Sequence, residues 1–150
     1  MTAFAAHLSL FISAVLSATL VPGSSELVFA GLIILYPDLT LSLYLTATLG
    51  NTLGVLVNWY LGYWLSRFAD KRWFPVSAER LTQASSRLHR YGSWLLLLSW
   101  IPILGDALTV AAGVIRIGLV RFLVLVAAGK AVRYAAVLAG VKLYGVVTLT

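Results

Sequence analysis

Two apolar runs along the chain, residues 39–66 and 119–143, are long enough for the roughly 20 helical residues that a bilayer core demands. Two others are too short. Residues 27–36 are only ten residues before Pro37-Asp38, and residues 93–102 only ten before a second broken centre. Short apolar runs that stop at a break read as arms of re-entrant hairpins. The pattern therefore predicts a hairpin over residues 4–36 bent at Pro22-Gly23, a first span, a polar connection over residues 67–92, a hairpin over residues 93–115 bent between Pro102 and Asp106, and a last span. One alternative stays open: residues 4–21 are also long enough to cross unaided, which would put the N-terminus on the other side.

The two halves repeat. Pro22-Gly23-Ser24-Ser25-Glu26 and Pro102-Ile103-Leu104-Gly105-Asp106 each place a proline four residues ahead of a carboxylate inside an apolar stretch. Ala30-Gly31 answers Ala112-Gly113, and Gly50-Asn51 answers Gly129-Lys130. A hydrophobic unit that recurs with a broken, ionisable centre is the pointer to a transporter binding site. Each unit has one hairpin and one crossing, and an odd number of crossings inserts the second copy upside down. The expected fold is an all-α polytopic membrane protein of two inverted repeats, residues 4–66 and 93–143, within one membrane domain over residues 1–150. Without the paired acids, Pro22 and Pro102 would read as ordinary kinks in spanning helices.

Composition changes the solvent and removes several chemistries. With 61% hydrophobic and 11% charged residues, the chain has too little polar surface to coat a soluble globule. Having no cysteine, it forms no disulfide, thiol nucleophile or Cys-ligated metal site. A net charge of +6 would suit nucleic acid, but six of the eleven basic residues fall between Arg67 and Arg90, the signature of a cytoplasmic loop. Both termini are then outside, and Arg116 and Arg121 inside. His7 is the one potential cation in the first twenty residues, so the N-terminal run is expected to stay as structure rather than act as a signal peptide. Within the basic loop, Ser77 caps a short helix with Glu79 in its first turn. Leu81, Ala84, Leu88 and Tyr91 share one face, opposite Arg80, Arg87 and Arg90. Such a helix is expected on the inner leaflet, with these arginines, Arg116 and Arg121 at the membrane surface, or else as a solvated connector.

Glu26, Asp106, Lys130 and Arg133 are the charges this topology buries in the membrane. Each costs about 2.5 to 3.5 kcal/mol at a helix centre, so they are expected to face one another or water. Lys130 and Arg133 share a helix face, and two acids with two bases make a neutral cluster. A structural salt-bridge network is the plain reading, although desolvation makes buried pairs poor devices for stability alone. An anion that took over Lys130 and Arg133 would favour protonation of Glu26 or Asp106, which couples protons to the anion. A guanidinium fork suits phosphate. Broken backbone at membrane depth needs protein or water partners, so Pro22, Gly23, Ser24, Ser25, Pro102, Gly105 and Thr109 are expected to line the cavity between the bends. Gly50, Gly54, Asn58 and Gly62 form one ridge on the first span; Asn51 and Asn58 either pack there or line the cavity.

Val21-Pro22-Gly23-x-x-Glu26, Ala30-Gly31, and the blocks from Leu97 to Pro102 and Ala111 to Arg116 resemble the DedA family of bacterial membrane proteins, also called the SNARE-associated Golgi or VTT-domain family. Gly50-Asn51-x-x-Gly54, Arg90-Tyr91-Gly92, Gly105-Asp106 and Gly129-Lys130-x-x-Arg133-Tyr134 resemble its short YqaA-like branch. The resemblance implies an inner-membrane lipid transporter that returns undecaprenyl phosphate or moves phospholipids with the proton gradient, with Glu26 as the functional acid. Family members carry arginines around the second-hairpin proline where this chain has Ser99 and Gly105, so Lys130 and Arg133 are expected to supply the cations.

The leading expectation is thus a proton-coupled flippase or carrier for an anionic lipid. A small proton-coupled ion exchanger is the second, and a structural membrane protein or embedded lipid phosphatase the third. No HExxH, paired-histidine motif or nucleophile with an adjacent base supports an enzyme. No cofactor or nucleic-acid partner is expected; membrane lipids and protons are, and so thin a bundle is expected to dimerise.

Overall fold

The computed structural model describes residues 2–19, 23–68, 70–73 and 76–149, and the described residues are helical without strands. Six α-helices follow in order: α1 (Ala3–Ser17), α2 (Ser24–Leu35), α3 (Thr40–Leu65), α4 (Ala78–Tyr91), α5 (Leu104–Val114) and α6 (Leu119–Leu149). A 3-10 segment, Ser93–Trp100, precedes α5. Two stretches, Pro37–Trp64 and Leu119–Gly145, are long and apolar enough to cross a membrane, close to the spans expected from the sequence. α1, α2 and α5 fall short of a crossing.

The long helices run antiparallel. The Tyr44 hydroxyl donates to the Ala131 carbonyl at 2.9 Å, and the rings of Trp59 and Phe122 lie 6.3 Å apart further along. α1 lies beside the first half of α3 and parallel to it: His7 reaches Ser42 at 3.0 Å, Gly50 packs on Phe11 and Ala14, and Gly54 on Val15 and Ala18. α2 turns back, and a 3-10 turn over Pro37–Leu39 leads from its end into α3. In the other half, the 3-10 segment lies along α6, with Gly129 against Leu97 and Ser99, and α5 turns back beside the second half of α3. Glycine is required at this last contact. A Cβ on Gly62 would strike the Val110 carbonyl, and one on Gly113 the Trp59 carbonyl, so the two backbones meet directly.

Both bends use positive-φ backbone immediately before a helix. Gly23, at φ 91°, caps α2, and Ile103, at φ 67°, caps α5; Glu26 and Asp106 then occupy equivalent places in the first turns. Glycine takes this conformation freely, whereas a β-branched isoleucine is strained by it. Pro22 lies outside the described residues.

Two apolar cores form at opposite ends of the long helices. Ala6, Leu10, Phe29, Leu43 and Ala47 build one, and Val55, Trp59, Leu96, Leu108 and Phe122 the other. The outer surface is apolar as well: Phe4, Leu8, Ile12 and Leu16 make an exposed stripe on α1, and Leu41, Leu45, Leu49, Leu53 and Val57 another on α3. Contiguous exposed leucine on this scale suits lipid and not water.

Two expectations need correction. The first arm of the second hairpin is a 3-10 segment ending at Trp100, not an α-helical half; its last carbonyls are held by α6 side chains, and the steeper 3-10 rise lets eight residues reach further. α4 forms as expected, with Ser77 accepting from the Arg80 amide, but Leu81, Ala84 and Leu88 pack on protein, chiefly α5, and Tyr91 is exposed. Its apolar face is used up in the fold before lipid can claim it.

Gly62→Ala and Gly113→Ala are expected to destabilise the protein by about 1 to 3 kcal/mol each, as over-packing does. Gly140, with open space around it, should accept alanine without loss. Thermal unfolding in one detergent checks all three.

Candidate functional site

The two spans have their midpoints at Gly50-Asn51 and at Val132, and the polar residues of the bundle gather at that depth, between the two apolar cores. α2 brings Ser25 and Glu26, α3 brings Asn51, the second bend brings the Ser99 and Trp100 carbonyls, and α6 brings Lys130, Arg133 and Tyr134. On α6, positions 130, 133 and 134 share one face by helical spacing.

Glu26 and Arg133 form an ion pair through Oε1 and Nε, the one ion pair among the described residues. Arg133 also donates to the Trp100 carbonyl at 3.1 Å, so its guanidinium joins the first-hairpin acid to the second bend. Lys130 is only 4% exposed, and its Nζ donates to the Ser99 carbonyl at 3.2 Å. Both cations therefore sit at the C-terminal end of the 3-10 segment, where unsatisfied carbonyls concentrate negative charge.

Tyr134 is fully buried and organises a directed chain. Asn51 Nδ2 donates to the Tyr134 hydroxyl at 3.3 Å, that hydroxyl and Ser25 Oγ are 2.8 Å apart, and Ser25 Oγ donates to Glu26 Oε2 at 3.3 Å. Since the Ser25 proton goes to the carboxylate, the Tyr134 proton goes to Ser25. The chain Asn51 to Tyr134 to Ser25 to Glu26 delivers three successive donors toward one carboxylate. Asn51 Oδ1 and Ser99 Oγ are buried without a hydrogen-bond partner among the described residues, and each can accept from a ligand or water.

The other expected residues divide. Asp106 lies within electrostatic reach of Lys130 and Arg133 but forms no ion pair among the described residues. It lines a cavity of about 120 Å³ with Val76, Arg80 and Ile103, on the α4 side of the bend. Gly23 forms the first bend, Ser24 opens α2, and Gly105 is pressed onto the Ser99 carbonyl. Asn58 is not at the cluster: it donates to Thr109 at 3.2 Å, and Thr109 to the Asp106 carbonyl at 2.9 Å, a polar stitch between α3 and α5. Pro102 is exposed toward α4 instead of facing the cluster. Arg80, Arg87, Arg90 and Arg121 are exposed, and Arg116, at φ 57°, stacks on Tyr63 at 4.8 Å. The residue that sequence reasoning missed is Tyr134; its spacing of four from Lys130 was the available signal.

An all-helical bundle with an apolar exterior, two membrane-length helices and its charges gathered at mid-depth is a polytopic membrane protein. The chain belongs to the VTT-domain, or DedA, family, whose model matches residues 21–142. It is 43% identical over 133 residues to the inner membrane protein YqaA of Escherichia coli, covering 87% of each chain. It is 40% identical over 136 residues to an uncharacterized protein of Haemophilus influenzae, covering 86% of this chain and 83% of the relative. Undecaprenyl phosphate transporter A of Staphylococcus aureus is 31% identical over 115 residues, 71% of this chain and 57% of that protein. No solved structure matches. The protein is located in the bacterial inner membrane.

Arg133→Ala leaves Glu26, whose side chain is 14% exposed, without its cation, and a loss of up to about 3 to 5 kcal/mol is expected. Glu26→Gln in the same chain should restore part of it, with a coupling above about 0.5 kcal/mol in a double-mutant cycle of unfolding free energies. Additive losses would dissolve the pair as an energetic unit.

Proposed function

We propose that the protein is a proton-coupled carrier for an anionic lipid, of the polyprenyl phosphate or phospholipid class, working through two re-entrant hairpins related by inverted symmetry. The observation that carries this reading is the convergence of Glu26, Lys130 and Arg133 at the midpoint of both spans, with Asp106 in electrostatic reach. Transporters place substrate and coupling groups there, at the junction of broken helices. The antiparallel long helices, the positive-φ residues Gly23 and Ile103 at equivalent places, and the seating of each first arm on its own span at Gly50 or Gly129 all support the inverted arrangement. The transporter name carried by the Staphylococcus aureus relative supports the cargo class.

The chemistry follows from competition for one guanidinium. A phosphate headgroup that engages Arg133 displaces Glu26, and its two oxygens match the planar fork. A carboxylate left in a low-dielectric interior without its cation neutralises by taking up a proton. The Tyr134–Ser25 chain supplies hydrogen bonds to Glu26 while Arg133 is occupied by cargo. Release of the headgroup returns Arg133 to Glu26 and frees the proton. Lys130 holds the second bend and adds positive potential without a fork, so Arg133→Lys should weaken lipid phosphate binding more than Lys130→Arg does.

Reconstituted protein should move a fluorescent polyprenyl phosphate between leaflets faster under an imposed proton gradient. Glu26→Gln and Asp106→Asn are expected to remove that stimulation while protein abundance stays near wild type. Gradient-stimulated movement in Glu26→Gln equal to wild type would end the coupling assignment.

Topology is tested separately. A cysteine at Ser85 should react only from the cytoplasm, and cysteines at Thr2 and Asp38 only from outside. Cytoplasmic labelling at position 2 would break the inverted arrangement.

A further inference from the structure

A cavity of about 280 Å³ lies where α4 crosses the second bend, outside the ion-paired cluster. Arg80, Gln83 and Arg87 line it from α4, and Pro102, Ile103 and Leu104 from the bend. Spacings of three and four put the three α4 side chains on one stripe of that helix, so two guanidiniums and an amide address the same space. No acidic residue lines the cavity, and neither arginine forms an ion pair among the described residues. The remaining wall is apolar, from Ala84 and Ala107 as well as the bend. Arg80 also borders the smaller cavity that reaches Asp106.

Unneutralised guanidiniums facing an apolar wall suit a ligand with a phosphate at one end and hydrocarbon at the other. We propose that this cavity is a phosphate-binding subsite on the α4 side of the membrane, in which Arg80 and Arg87 hold the anion and the Ile103–Leu104 bend receives the adjoining chain. It deepens the carrier reading and rests on it: the headgroup is captured here before it reaches Arg133. Arg80, shared between this subsite and the Asp106 cavity, places the captured anion next to the second acid.

The experiment is equilibrium binding to the full chain in nanodiscs of neutral phosphatidylcholine, with a short-chain prenyl monophosphate as one probe and inorganic phosphate as the other. Arg80→Gln with Arg87→Gln should weaken prenyl phosphate binding by about tenfold or more, as expected for charge-assisted hydrogen bonds. Arg72→Gln, which removes one positive charge from the same connection away from the cavity, should change it by less than about twofold. Both arginines are exposed, so folding should survive, and an unchanged unfolding temperature verifies it. Arg80→Lys with Arg87→Lys should recover part of the affinity. A loss confined to the prenyl probe assigns the subsite to a lipid headgroup, and a loss with both probes to phosphate itself; either result upholds the site. Equal losses in Arg72→Gln, or no loss in the double variant, overturn it. If wild type still moves lipid in that case, the carrier reading stands alone. If wild type binds no prenyl phosphate at all, both fall together.

Discussion

A carboxylate at mid-depth in a bilayer needs a cation or water beside it, and the Glu26–Arg133 pair meets that need while joining the two halves of the molecule. Glu26 belongs to the first hairpin. Arg133 belongs to the last helix and also grips Trp100 at the second bend. One guanidinium thus sets where both bends end. Tyr134, next along α6, ties α2 and α3 to this layer through Ser25 and the Asn51 amide nitrogen. The two apolar cores sit on either side of this polar layer, so its geometry and the packing of the bundle constrain each other.

Close approach of helices is the second requirement, because lipid provides no hydrophobic drive to press them together. α3 meets it with a ridge of small residues whose members serve different neighbours: Gly50 and Gly54 receive α1, and Gly62 receives α5. Asn58, on the same ridge, is spent on Thr109 and joins this contact instead of the charged layer. The polar residues of α3 therefore have distinct tasks despite their regular spacing, and Asn51 alone among the two asparagines joins the charged layer.

The two acids, alike in sequence, have different surroundings. Glu26 is ion-paired and fed by a chain of hydroxyls, whereas Asp106 looks toward α4 and is touched by the fields of Lys130 and Arg133 from a distance. The two first turns are therefore not equivalent chemically, although both follow a residue with positive φ, Gly23 and Ile103.

The sequence by itself determined the solvent, the two spans, the amphipathic α4 and which four charges needed partners or water, because hydrophobic length and the cost of burying charge are local and additive enough to read along a chain. It also carried the family, through motifs at Glu26 and from Gly129 to Tyr134 that the comparison over residues 21–142 bears out. Only the tertiary structure decided which acid pairs with which base, that Asn58 faces Thr109, that Pro102 turns to α4, and that the arm from Ser93 to Trp100 winds as 3-10. Those outcomes depend on partners 30 to 110 residues away, such as Lys130 on Ser99 and Tyr134 on Ser25, and no local preference encodes them. The same holds for the apolar face of α4: periodicity shows that it must be buried, and the packing of α5 decides that protein, not lipid, covers it.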